Sequence, residues 1–203
     1  MRRHRMLLAA AIAVLAAPVT VTTSASAHTM GDGSTMNDSH RGPGPVVDLI
    51  RAAFASAPFL RFENAAGGGY VGKVADKAGI TCITDLNVPS AGAMGVHFVN
   101  PGLIDLNDDP TVNDTIDASK PEVLVYEPDA AGHYRLVALE YLILQKEWDA
   151  THSSPPSLFG HEFMFSDATN RFGLPPYYSL HAWIWKFNPS GTFEMWNPNV
   201  HCP

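Results

Sequence analysis

Tyr178-Ser-Leu-His-Ala-Trp-Ile-Trp-Lys186 is a stretch with the pattern of a β-strand near the end of the chain. It is rich in aromatic and branched residues and has no internal glycine or proline, which is typical of a strand. Side chains alternate along a strand, so two faces follow. One face is predicted to carry Ser179, His181, Trp183 and Trp185, and the other Leu180, Ala182 and Ile184. The strand therefore places a titratable imidazole among aromatic side chains.

Two other segments predict strands that also carry a polar residue among apolar neighbours. The segment 93–99 alternates and places His97 in the middle of its strand. The segments 122–127 and 134–144 predict a hairpin whose turn is the proline- and glycine-containing stretch 128–132. In the second arm, Glu140 shares a face with Leu136, Ala138 and Leu142. A bare carboxylate in such a row is costly, so Glu140 must be protonated, paired or bound to a ligand.

The order of these elements predicts an α+β fold. Residues 46–57 follow the helical period directly after Pro45, a residue that is tolerated at a helix start. The strands come later in the chain, and the segment 192–196 is expected to pair back against the strand at 178–186. We therefore expect residues 46–203 to form one domain, with an N-terminal helical layer on a mainly antiparallel sheet of about four strands. A half-open barrel around a pocket is the alternative.

The first 45 residues predict export rather than structure. Residues 1–27 combine a basic start, an apolar run and the small-residue motif Ala25-Ser-Ala27, as in a secretory signal peptide. Residues 28–45 are polar and rich in glycine, which predicts a disordered tether rather than a copper site at His28. The mature protein would lie in the extracellular or cell-wall space, with no membrane attachment after cleavage.

Charge and cysteine content fit that compartment. Loss of three leader arginines takes the formal charge from −7 to −10, and such an acidic protein is a poor partner for nucleic acid. Cys82 and Cys202 are the two cysteines of the chain, and in an oxidising compartment they predict a disulfide. The sequence does not indicate an oligomeric state.

Four residues compete for one candidate site: His97, Glu140, His161 and His181. Three of them lie in predicted strands, and His161 lies in the apolar segment 157–165. Imidazole and carboxylate groups together suit Zn, Mn, Fe, Ni or Cu, and two imidazoles with one carboxylate leave positions open for water or substrate. Their spacing matches no known motif, and each histidine taken alone is better explained by a structural role in the core; it is their joint occurrence on apolar strands that favours a site.

The aromatic residues near the C-terminus offer a different function. Trp183, Trp185 and Trp196 fall within 14 residues, and exposed they would form a platform for a ligand or a partner protein. Buried, they would only pack the core. The chain has no nucleophile elbow, P-loop, dinucleotide fingerprint or His-Glu-x-x-His helix, so the common hydrolase, nucleotide-binding and zinc-protease signatures are absent from its sequence.

Several short segments between residues 95 and 202 look familiar when taken together. They are residues 95–101, 121–128, 137–141, 158–161, 180–186, 188–191 and 196–198, together with Cys202. Together they resemble a group of uncharacterised secreted bacterial proteins with no assigned activity, over roughly residues 92–202. The resemblance implies a natural, secreted, single-domain protein, and it implies no activity, cofactor or site residue.

Overall fold

The computed structural model describes residues 44–104 and 115–203. The predicted signal peptide, residues 28–43 of the predicted tether and residues 105–114 of the acidic loop lie outside this part of the chain. Helix α1 (Pro45–Ser56) begins one residue before the predicted start. Short 3-10 turns follow at Ala57–Leu60, Phe62–Asn64 and Ala66–Gly68, and another lies at Pro89–Ala91.

One antiparallel sheet contains seven strands of the described chain, not the expected four. The extra ones are edge strands of two or three residues, too short to produce an alternating pattern. Its members are β1 (Gly72–Lys73), β2 (Cys82–Thr84), β3 (Ala93–Val99), β4 (Val123–Pro128), β5 (Tyr134–Leu144), β8 (Met164–Ser166) and β9 (Tyr177–Ala182). The order is β1-β3-β4-β5-β9-β8, with β2 also paired to β3.

Two further elements lie outside the sheet. The short helix α2 (Gln145–Asp149) directly follows β5. A separate two-stranded hairpin consists of β6 (Ser157–Leu158) and β7 (His161–Glu162). Within the described residues the sheet is open and forms no closed barrel, so the chain has an α+β architecture.

The two faces of the sheet differ in what covers them. The helix face, defined by Phe98, Leu124, Leu139, Tyr141 and Leu180, packs against the 3-10 turns and the buried side of α1. The opposite face carries His97, Glu140 and His181 and is called the site face. It is covered by the C-terminal segment and by apolar side chains of the loops. Both faces are thus buried.

A bulge in β5 corrects the predicted parity of that strand. Val125 pairs with Ala138 and Tyr126 pairs with Leu136, so Val137 is the extra residue between them. Leu136 therefore lies in the helix-face core, whereas Val137 and Ala138 both pack on the site face. The parity of Glu140, on the far side of the bulge, is not affected.

The C-terminal segment leaves the sheet earlier than expected. Strand β9 ends at Ala182, where the Ile184 amide donates to the Ala182 carbonyl and turns the chain. The segment 192–196 is not a strand; the Trp183 amide donates to the Thr192 carbonyl without a ladder. The disulfide Cys82–Cys202 confirms the predicted pair and ties this segment to β2 across 120 residues. No helix among the described residues is long and apolar enough to cross a membrane.

Candidate metal centre

Strands β3, β5 and β9 bring His97, Glu140 and His181 to one place on the site face. Glu140 on β5 is paired in register with His181 on β9, so the two side chains leave the same face side by side. On its other flank, Glu140 pairs with Val123 of β4, and His97 of β3 pairs with Val125, two residues further along β4. Residues two apart along a strand share a face, so His97 reaches towards Glu140 across β4.

The side chains converge at ligand-like separations. Nε2 of His97 lies 3.4 Å from Nε2 of His181 and 3.6 Å from Oε2 of Glu140. Nδ1 of His181 lies 3.8 Å from Oε1 of Glu140. Two atoms bound to one zinc ion at 2.0–2.2 Å in a tetrahedral site lie about 3.4 Å apart. His181 contacts His97 and Glu140 through different ring nitrogens, but one ligand atom from each of the three residues lies within 4.8 Å of the others. The three residues form a buried group that could hold a metal ion.

The hydrogen bonding of the cluster is incomplete. The Nδ1 atoms of His97 and His181 are buried and have no hydrogen-bond partner among the described residues. The backbone of Gly95 partly opposes the lowering of the His97 pKa. No contact from the described residues to Nδ1 of His97 meets hydrogen-bond geometry, however. The N–N contact of 3.4 Å is longer than the 2.7–3.2 Å of ordinary N–H···O bonds. Buried polar groups normally have partners, so these two nitrogens are exceptions. The contacts of His97 within the cluster use its other ring nitrogen, Nε2.

Burial sets the protonation state of all three groups. Desolvation lowers the pKa of His97 to about 4, although the neighbouring Glu140 opposes the shift. Desolvation likewise lowers the pKa of His181 to about 4. It raises the pKa of Glu140, and His97 and Ser179 oppose that rise. Both imidazoles are therefore neutral near pH 7, which is the form that binds metals.

A cavity of about 330 Å³ opens directly above the cluster, which forms part of its wall. The ring of Phe172 lies 6.4 Å from the His97 ring, and Trp183 stacks beside His181 at 6.0 Å between ring centroids. Phe172 follows Arg171, whose guanidinium binds Asp76 at 2.6 Å and the Thr84 carbonyl at 2.9 Å. These two contacts of Arg171 hold the loop that carries Phe172 over the cavity.

His161, the fourth predicted ligand, does not belong to this cluster. Its side chain is exposed on the hairpin of β6 and β7, with its ring 4.1 Å from that of Phe193. The turn of that hairpin contains Phe159 at φ 56° and Gly160 at φ 78°, and it buries Phe159 in the helix-face core. His161 is therefore held on the helix-face side of the molecule, where Phe193 also packs.

The tryptophans are separated rather than clustered. Trp183 is buried on the site face, and its indole N–H donates to the Glu194 carbonyl at 2.6 Å. Trp185 is half-buried on the helix face instead of beside His181, because the turn after Ala182 reverses its direction. Its indole N–H donates to the Ser56 hydroxyl at 3.0 Å. Trp196 is half-buried, so the three do not present one exposed platform.

Sequence reasoning did not single out the residues that complete the site. Strand parity placed Ser179 on the face of His181 but gave it no role; it pairs with Leu142 and lies two residues from His181 on the same strand. Phe172 and the Asp76–Arg171 pair lie in loops whose sequence carries no periodic signal. Only the folded chain brings these loops to the cavity.

Comparison with protein-family models, with curated proteins and with solved structures finds no match.

Proposed function

We propose that this is an exported protein that binds one divalent transition-metal ion through His97, Glu140 and His181. The observation that supports the proposal is the convergence of three buried polar groups on β3, β5 and β9, each of which offers one ligand atom within 4.8 Å of the others. A metal ion among them would give the buried carboxylate its counter-charge. Export is supported by the leader-like residues 1–27 and by the disulfide.

The number and type of ligands favour a reactive site over a purely structural one. Structural zinc sites are closed by four protein ligands, whereas catalytic sites keep a position for water or substrate. Two imidazoles and a carboxylate suit Zn and Fe best, and Mn, Ni and Cu also accept them. The cavity above the cluster gives such an open position access to a small molecule. A metal-dependent hydrolase or oxygenase is the kind of activity that this arrangement supports.

A structural role is the second candidate, and one observation favours it. At 3.4 Å, one neutral histidine can donate its Nε2–H to Nε2 of the other, and a protonated Glu140 needs no counter-ion. In that case the three residues would satisfy one another weakly and bind no metal. A non-catalytic binding module built on the tryptophans is less well supported, because Trp183 is buried and Trp185 packs on the opposite face.

Metal titration of the protein secreted by an expression host tests the proposal. We expect one Zn²⁺ ion per chain, and N-terminal sequencing should begin at His28. His97→Ala and His181→Ala should each weaken binding by at least about 100-fold, since loss of even an outer partner of a ligand costs 10–100-fold. His161→Ala is the matched control, because His161 is exposed and outside the cluster.

A second matched pair compares two buried carboxyl groups. Glu140→Gln should abolish tight binding, whereas Glu122→Gln should not change it, because Glu122 accepts the Leu142 amide at 3.0 Å and is not in the cluster. A correctly folded protein without stoichiometric metal under metal-replete conditions would overturn the proposal. So would metal binding that both His97→Ala and His181→Ala leave unchanged.

A further inference from the structure

The cavity beside the candidate ligands has a definite chemical character. Its volume of about 330 Å³ is at the small end of the range for ligand pockets. Its walls are mostly apolar and include Met94, Val99, Ile104, Leu142, Phe172 and Leu174. The polar groups of His97, Glu140 and His181 lie together in one part of the wall. An occupant thus meets the polar cluster with one end and hydrocarbon with the rest.

Charge on the cavity wall is as limited as polarity. Lys73 is the one basic residue other than histidine among the described lining residues. Its ammonium points to the other side, where it donates to the Tyr134 hydroxyl at 3.0 Å. The guanidinium of Arg171 is held by Asp76 and is not part of the lining. A phosphate or a polyanion would therefore find no basic side chain among the described residues to neutralise the charge left over beside a single metal ion.

Hydroxyl-rich ligands would also lack hydrogen-bond partners in this cavity. Apart from the cluster, the lining offers the side-chain hydroxyls of Ser166, Tyr177 and Ser179 as hydrogen-bond partners. A sugar brings many hydroxyl groups, and each one left without a partner in an apolar cavity costs free energy. Ligands that are large, multiply charged or polyhydroxylated do not fit this lining.

We infer that the cavity binds a small, largely apolar molecule carrying one nitrogen, oxygen or sulfur donor atom, with that atom directed at the metal. This inference depends on the proposed metal site, because the donor atom needs the ion as its partner. The apolar body would be buried against the walls, where each buried methylene contributes about 0.8 kcal/mol. Binding would then grow with the apolar part of the molecule for a fixed donor group.

Two probes with the same donor group test this directly in the Co²⁺-loaded secreted protein. Imidazole and 4-phenylimidazole both offer an imidazole nitrogen, and their binding can be followed by the visible spectrum of the bound cobalt. We expect 4-phenylimidazole to bind at least about 10-fold more tightly, because its phenyl ring is removed from water. Leu174→Trp should reduce this ratio to about threefold or less by filling the cavity, while cobalt binding is unchanged. Leu86→Trp, at an exposed leucine outside the lining, is the control.

The outcomes separate this inference from the one on which it depends. Intact cobalt binding with equal affinity for both probes in the unmodified protein would overturn the inference and leave the metal site standing. Failure to bind cobalt would overturn the metal proposal and this inference together. A Leu174→Trp protein that folds and keeps the full 4-phenylimidazole advantage would also contradict it. The comparison of the two probes needs no variant, so misfolding of Leu174→Trp would not rescue the inference.

Discussion

The two faces of the central sheet are both buried, but they differ in how well their buried polar groups are hydrogen-bonded. On the helix face, the hydroxyls of Tyr70, Tyr126 and Tyr141 each donate to a backbone carbonyl at 2.7–2.9 Å. On the site face, His97 and His181 keep buried ring nitrogens without a partner, and their contacts to each other and to Glu140 are 3.4–3.8 Å long.

The helix face therefore shows that this chain can supply hydrogen-bond partners to buried polar groups. Leaving such a group unsatisfied costs about 1–3 kcal/mol. Among the described residues, two of the three buried side-chain atoms without a partner are these ring nitrogens, and the third is Oε2 of Glu147 on α2. We interpret the contrast as the separation of a stabilising face from a binding face, and the following predictions test that separation.

The largest effect should come from opening the cover of the site face. The C-terminal segment that carries Trp183 and Val200 against that face is tied down by the disulfide. Replacing Cys82 and Cys202 by serine should lower the free energy of unfolding by about 4–5 kcal/mol, because the bond closes a loop of 120 residues. Denaturant unfolding measures the loss, and hydrogen exchange should increase first in residues 183–202. A loss below about 1 kcal/mol, or faster exchange in α1 instead, would contradict the account.

The pH dependence of stability should reveal the buried titrating groups of the metal-free protein. Desolvation raises the pKa of Glu122 from 4.5 to about 8, and it also raises that of Glu140. The folded state then binds more protons, so this stability is full below pH 4.5 and is lost as pH rises towards 8. The lowered pKa values of His97 and His181 act oppositely, with stability present above pH 6.5 and lost as pH falls towards 4.

Between pH 4.5 and 6.5 these slopes have opposite signs and offset one another. From pH 5.5 to pH 8 the Glu122 contribution alone should fall by on the order of 3 kcal/mol. The two imidazoles gain a similar amount over the same range, so unfolding curves of the unmodified protein and of Glu122→Gln are compared at both pH values; the change from pH 5.5 to pH 8 should differ between the two proteins by on the order of 3 kcal/mol. The same change with pH in both proteins would refute the assignment.

Metal affinity should depend on one proton. Glu140, with its raised pKa, must lose a proton to bind metal, whereas the two imidazoles are already neutral above about pH 5. Below the pKa of Glu140 the affinity should therefore fall about tenfold per pH unit. Calorimetry in buffers of different ionisation enthalpy counts the released proton, and Glu122→Gln should leave the count unchanged. Release of two or more protons between pH 5 and 7 would mean that the histidines are charged in the metal-free protein.

The smallest effects should differ in sign between the faces. Tyr141→Phe removes a satisfied hydroxyl from the helix face and should cost about 1 kcal/mol. Glu140→Leu removes a buried carboxyl whose contacts are poor, so the metal-free protein should keep or gain about 1 kcal/mol of stability. Thermal unfolding without metal compares the two. A loss of more than 2 kcal/mol in Glu140→Leu would show that Glu140 has a structural role.

Much of the sheet could be predicted from the sequence, because long strands in a two-sided core have a clear period. The bounds of β3 and β5 agree with the segments 93–99 and 134–144. The bulge at Val137 and the turn after Ala182 could not be predicted, since both come from hydrogen bonds made across the sheet. The predicted apolar stripe of α1 is also only partly used, because Val46, Ile50 and Phe54 are exposed.

The site was predictable in part for the same reason. Glu140 is a carboxylate in an apolar row, and strand parity assigned His97 and His181 to definable faces. Register decides whether such residues meet, and the sequence does not state it; the pairing Glu140 with His181 appears only in the folded sheet. His161 was grouped with them because it lies in an apolar segment. The turn at Phe159 and Gly160 places it elsewhere.

Anomalous diffraction at the zinc edge, from crystals of the secreted protein grown with Zn²⁺, tests the central claim most directly. The account predicts one strong anomalous peak per chain within about 2.0–2.2 Å of a ring nitrogen of His97, a ring nitrogen of His181 and a carboxylate oxygen of Glu140. A structure with zinc bound elsewhere, and with the two histidines still facing each other at 3.4 Å and no density between them, would contradict it.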